Sequence, residues 1–313
     1  MLWRFATDDY LSVAIKRMRK TLLIILSATW FLSCEKPSPD SQPENRAEFN
    51  IILALRDTTL PNGISYNEIY SLSEEGTNVY RVSTLGSQIP SPLAEPHWGP
   101  GGKIIFGSHH ESVNQMVYSM NTDGSGVTRL TDGNDYHFEL NVSLTSGRIL
   151  YRNSDAIRSR KLDGTDEKTL TTAFVHFPSW HPDGQRVIYA SDAFLNGPGW
   201  NNIFIANYDG TNTHQITHTA NRVYAYPYVS PNGKLLSYMV GRKIYVANID
   251  GTVESLLDTQ YEPVYRLRGW TSDSKQLLVD GDGGHFFYLL KADGTGLKKV
   301  GSAGVRFYSL SIK

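Results

Sequence analysis

Hydrophobic positions in this chain fall in short runs rich in Val, Ile, Tyr and Phe, broken at close intervals by Gly, Asp, Asn and Pro. Runs of that kind predict β-strands joined by tight turns, and the 3.6-residue spacing of an amphipathic helix is absent. Residues 177–219 show one unit complete. A strand ends at Trp180, and His181-Pro182-Asp183-Gly184 makes a turn. A second strand covers 186–190, and a longer loop carries Gly197, Pro198 and Gly199. A third strand covers 202–207, turns at Asp209-Gly210 and returns as a fourth through His214 to Thr217.

The unit recurs. Its second turn appears as Glu75-Gly76, Asp123-Gly124, Asp163-Gly164, Asp209-Gly210, Asp250-Gly251 and Asp293-Gly294, with glycines 40 to 48 residues apart. Asp-Gly between strands predicts a two-residue type I′ turn with positive φ at both positions. The first turn recurs less cleanly as Pro100-Gly101-Gly102, Thr145-Ser146-Gly147, Pro231-Asn232-Gly233 and Ser272-Asp273-Ser274. Ahead of these turns stand Trp98, Val142, Trp180, Val229 and Trp270. Large apolar groups at equivalent positions read as packing between successive sheets, with stacking on a ligand as the alternative. A four-strand repeat of this length predicts an all-β, six-bladed β-propeller over residues 49–313. Residues 50–55 match a second strand with no first, and 305–313 match a first strand with no continuation. The C-terminal strand is therefore expected to complete the first blade and remove two open edges.

Phrases such as FPSWHPDGQRVIYASD and NIFIANYDGTNTHQITH resemble the WD-like repeats of the TolB-type six-bladed propellers, over nearly all of 50–313. The matching residues are turn and core residues, so the resemblance implies the fold and says little of activity. The N-terminal α/β domain of TolB proteins has no counterpart here. Similar repeats build the propeller of prolyl-oligopeptidase-type peptidases, whose hydrolase domain and G-x-S-x-G elbow are missing.

Thirty basic residues against 31 acidic ones, with no long run of either, argue against a nucleic-acid partner. The start of the chain is a targeting segment, residues 1–33, with translation beginning at Met1 or at Met18. Arg17, Arg19 and Lys20 precede an apolar core too short to span a bilayer, and Phe31-Leu32-Ser33-Cys34 resembles a lipobox. Cys34, the single cysteine, is the expected lipidation site, and an ordinary signal peptide with an incidental cysteine is the alternative. Residues 34–48 then form a proline-containing disordered tether that can extend roughly 40 Å.

Candidate chemistry belongs on the face carrying the longer links and the beginnings of the first strands, because binding residues gather on variable loops over a rigid scaffold. There Glu95, His137, Glu139, His176, Tyr226, Arg266 and Arg268 are expected to line the channel mouth as ligand-binding residues. His109-His110-Glu111 forms the most metal-like local cluster, but neighbouring side chains on an extended loop point apart, so a solvated loop is the simpler reading. His181 reads as structural, on the opposite face. No cofactor, metal site or catalytic set is assigned. The functional expectation is a monomeric binding module at the cell envelope, lipid-anchored to the outer membrane. Its partner would be an envelope protein or a glycan. The alternative is a carbohydrate-active propeller resembling the oligogalacturonate lyases, with a metal held by histidines converging on the axis.

Overall fold

The computed structural model describes residues 51–57, 66–72, 79–82, 93–108, 115–131, 138–153, 156–172, 175–192, 201–219, 221–257, 264–281, 286–302 and 307–312. The targeting segment, the tether, Cys34, His109, His110, Glu111, His137 and the Glu75-Gly76 turn lie outside the described residues. Within them the chain is an all-β propeller built of four-stranded antiparallel blades. Six such sheets are found among the described residues. Sheet 1 runs in the order Phe307–Ile312, Ile51–Asp57, Tyr66–Leu72, Val79–Arg81. The first strands of sheets 2 to 6 are Leu93–Trp98, Phe138–Ser143, Val175–Trp180, Tyr224–Val229 and Val264–Trp270. Each first strand neighbours that of the next sheet, and Val264–Trp270 neighbours Phe307–Ile312.

Strands such as Ile104–Ser108 and Arg186–Ser191 are buried without alternation because both faces of their sheets are covered. Ile104 and Phe106 of sheet 2 pack with Ile69 of sheet 1 and with Val82 just beyond its last strand, while Ile105 packs with Leu140 and Tyr151 of sheet 3. Val187 and Tyr189 of sheet 4 turn back to Leu150 and Ile157 of sheet 3, while Ile188 meets Tyr224 and Tyr238 of sheet 5. Met239 of sheet 5 reaches Leu267 and Val279 of sheet 6. Each step along a strand therefore changes the neighbouring sheet, and no single sheet can bury its surface alone.

The second turns differ from expectation. Among the Asp-Gly pairs described, only the glycine has positive φ, as at Gly210 (φ 85°), so these are not type I′ turns. Gly210 N–H donates to Asn207 O and Asn207 N–H to Thr211 O, both at 2.9 Å. That is a type I turn followed by a left-handed glycine, the three-residue hairpin with a bulge. The aspartate is selected for a different reason: Asp209 Oδ1 accepts from Thr211 N–H and Oγ1–H at 3.0 and 2.7 Å. The same bonds recur at Asp123, Asp163, Asp250 and Asp293. The repeated text is thus Asp-Gly-(Ser/Thr), with the hydroxyl residue part of the device. A Cβ on Gly210 would lie 2.5 Å from Leu170 O of sheet 3, so the turn also seats one sheet on the last.

The expected closure is present. Phe307–Ile312 pairs antiparallel with Ile51–Asp57, with Ile312 opposite Ile51, Leu310 opposite Leu53 and Phe307 opposite Leu55. Residues separated by most of the chain thereby become hydrogen-bonded neighbours, and the edge of Ile51–Asp57 is covered. Among the described residues no helix is long and apolar enough to cross a membrane.

Candidate functional site

Every described first strand from sheet 2 to sheet 5 breaks its pairing with the second strand in the middle. The register shifts between Ala94 and His97, Phe138 and Asn141, His176 and Ser179, and Ala225 and Tyr228. At each break one non-glycine residue is left-handed: Glu95 (φ 49°), Glu139 (φ 53°), Phe177 (φ 54°) and Tyr226 (φ 53°). Such conformations cost about 1–3 kcal/mol each and persist only where surrounding bonds enforce them. Here the enforcing bonds run from sheet to sheet. Glu95 Oε2 accepts from Leu140 N–H at 2.9 Å, and Glu139 Oε2 from Phe177 N–H at 3.2 Å. The rings of Phe177 and Tyr226 meet at 4.1 Å between centroids. Beyond the bulges, Ser179 Oγ–H donates to Pro227 O at 2.6 Å and Trp270 Nε1–H to Tyr228 O at 3.2 Å.

These ties account for three of the sequence candidates. Glu95, Glu139 and Tyr226 are joints between blades. Burial raises the Glu95 carboxyl above the usual carboxylate range, against the opposing pull of the Leu140 and Glu139 amides, Arg268 and Arg266. Burial also raises Glu139, opposed by Arg152 and the Phe177 amide. His176 is half-buried, with its ring 5.9 Å from that of Phe177 and its pKa lowered, chiefly by burial. Arg266 is exposed. Arg268 differs from the rest because it reaches an open space. Its Nε and Nη2 both donate to Asp280 Oδ2, at 3.1 and 2.5 Å, and Asp280 is almost wholly buried.

That space is a cavity of about 390 Å³ bounded by the first strands of sheets 2 to 6. Its size falls within the range of small-molecule pockets, roughly 300–1,000 Å³. Arg268, His97, Asn141 and Tyr228 line it, together with the largely buried Trp98, Trp180 and Trp270. Its rim is made by first-turn residues: Leu144, Thr145, His181, Pro182, Pro231 and Ser272. The described cavity therefore reaches the tight-turn side, whereas the expectation placed the site among the long links, whose middles lie outside the described residues. The bulges supply the reason. One extra residue inverts the alternation of the strand, so His97, Asn141 and Tyr228, beyond the bulge, reach the cavity.

No sequence signal singles out His97, yet burial drives its imidazole down to about 4, opposed by the Leu140 backbone and helped by Arg268. His181 was read as structural. It is 5% exposed, accepts from Asp183 N–H at 3.2 Å and also forms part of the rim, its pKa lowered mainly by burial. The tryptophans read as packing, with stacking on a ligand as the alternative, and Trp98, Trp180 and Trp270 are 5–8% exposed. They belong to the inter-sheet clusters and to the cavity wall together. Their spacing ahead of the first turn was the signal available in the sequence. Among the described residues no three His, Cys, Asp or Glu side chains gather to hold a metal ion.

No protein-family model matches the chain, and no curated protein does. Solved structures do. TolB from Acinetobacter baumannii superposes with a TM-score of 0.68 at 16% identity, over 85% of this chain and 67% of that one. A chain of a nidogen/laminin complex gives 0.62 at 13% identity, over 84% and 98%. A puromycin-hydrolysing peptidase of Mycobacterium tuberculosis gives 0.56 at 14% identity, over 80% of this chain but only 44% of the peptidase. At these identities the likeness is one of fold, and the fold that these structures share with this chain is the β-propeller.

Proposed function

We propose that this protein is a lipid-anchored binding module of the cell envelope, a six-bladed TolB-like propeller whose ligand site is the axial cavity on the tight-turn side. The cavity carries the reading. It draws apolar side chains and a few polar groups from five sheets around one space, which is the composition of a recognition site. Six four-stranded sheets whose first strands neighbour one another in a cycle support the blade count. Acylated Cys34 holds the propeller to the outer membrane through the tether, and the partner is an envelope protein or a glycan.

Two measurements test this. Intact mass of membrane-extracted protein should show loss of everything before Cys34 and a gain of acyl mass; a soluble, unacylated product ends the anchoring claim. A photo-crosslinking residue at Leu144, which is 47% exposed on the rim, should give envelope adducts that the same group at exposed Thr295 does not. Equal labelling from both positions removes the cavity as the site.

A further inference from the structure

The Arg268 guanidinium is committed on one edge only. Its Nε and Nη2 donate to Asp280 Oδ2. Asp280 belongs to the second strand, Gln276–Gly281, and does not line the cavity, whereas Arg268 does. A guanidinium holds its five N–H donors in a planar fork. The end formed by Nη1 and the remaining N–H of Nη2 therefore has no acceptor among the described residues. That end matches the two oxygens of a carboxylate, and the buried pair with Asp280 fixes it in place before any ligand arrives.

The rest of the lining agrees in sign. It contains no Asp or Glu. Tyr228, which feels the Arg268 charge, is pushed up to about 12, chiefly by burial, and so keeps a hydroxyl proton to donate. Asn141 Oδ1 accepts from Trp180 N–H at 3.2 Å, which leaves Nδ2 as its uncommitted donor. Asp280 already offsets part of the Arg268 charge, so one negative charge is matched better than two. At the rim the accessible surface is apolar: Leu144 and Pro231 are exposed, and Val142 and Pro182 are half-buried.

We infer that the cavity binds an organic monocarboxylate with an apolar body, its acid group held by the open end of Arg268 and the Tyr228 hydroxyl. This rests on the cavity being the ligand site, as proposed above. The carboxylate comes from a free acid or from the C-terminal residue of an envelope protein, and the recognition chemistry is the same for both.

The test is calorimetric titration of the full chain in detergent at pH 7.5. The probes are N-acetyl-leucine, its neutral amide, the peptide acid N-acetyl-Gly-Gly-Leu, galacturonate and inorganic phosphate. N-acetyl-leucine should bind saturably, at least tenfold more tightly than the amide, galacturonate or phosphate. Tighter binding of the peptide acid assigns the carboxylate to a protein C-terminus, and weaker binding assigns it to a free acid. The double variant Arg268→Met/Asp280→Leu removes the guanidinium without stranding its partner and should weaken N-acetyl-leucine at least tenfold. Tyr228→Phe removes one hydroxyl and should weaken it about tenfold, with a melting temperature within a few degrees of wild type. Equal binding of the amide, or a preference for galacturonate or phosphate, with loss in the double variant overturns the inference and leaves the cavity as the ligand site. If nothing binds, or what binds ignores both variants, the cavity reading falls with it.

Discussion

Replacing His97 with glutamine should flatten the acid limb of the stability curve. In the folded protein burial holds this imidazole at about 4, below its ordinary 6.5. Between those values the unfolded chain binds a proton that the folded chain refuses, so stability rises with pH across the window and falls as acid is added. The whole gap, at about 1.4 kcal/mol per pH unit, amounts to about 3 kcal/mol lost below pH 4. Against a net stability of roughly 5–15 kcal/mol that is a large share. Glu95 and Glu139 act in the opposite sense. Their carboxyls are raised by burial, so the folded state takes up protons first and gains stability as pH falls. The wild-type curve therefore mixes opposing slopes, and only the difference between wild type and H97Q isolates the imidazole. Urea unfolding at pH 4, 5, 6.5 and 7.5 supplies the measurement. The difference should be small at pH 7.5 and shift by about 3 kcal/mol in favour of the variant by pH 4. Parallel curves would refute the claim that the fold holds His97 in its neutral form.

Two further outcomes follow from the packing. Arg268→Met strands the Asp280 carboxylate in a buried site and should cost about 3–5 kcal/mol, whereas adding Asp280→Leu should restore most of it in the same unfolding assay; equal losses in the single and double variants would contradict the buried pair. In a Cys34→Ser background, paired cysteines at Leu53 and Leu310, or at Ile52 and Ser311, should crosslink without reductant in at least one pair. Closing so long a loop should add up to about 5 kcal/mol, and an absence of crosslinks in both registers would remove the terminal closure.

The architecture was legible in the sequence because its signals are local. The Asp-Gly-(Ser/Thr) turns write their bonds within five residues, as Asp209 to Thr211 shows. The unbroken apolar runs report sheets covered on both faces, since Ile188 and its neighbours Val187 and Tyr189 each need a different partner sheet. Even the closure could be read, from one strand too few at the start and one too many at the end.

The site was not local, and there only the tertiary structure decided. Glu95 looked like a channel-mouth acid, but its oxygen is occupied by the amide of Leu140 in the next sheet. No run of residues around position 95 announces that position 140 will come to lie beside it. The left-handed bulges carry no obligatory glycine, since neighbouring sheets enforce the strain at Glu139, Phe177 and Tyr226. They are therefore invisible to turn chemistry, yet they decide which side chains face the axis. His97 and Arg268 come from different sheets, and their environment exists only once the first strands converge. Periodicity along the chain could specify the blades, while the chemistry of the cavity arises between them, where burial and the relative placement of distant strands set each side chain's charge and partners.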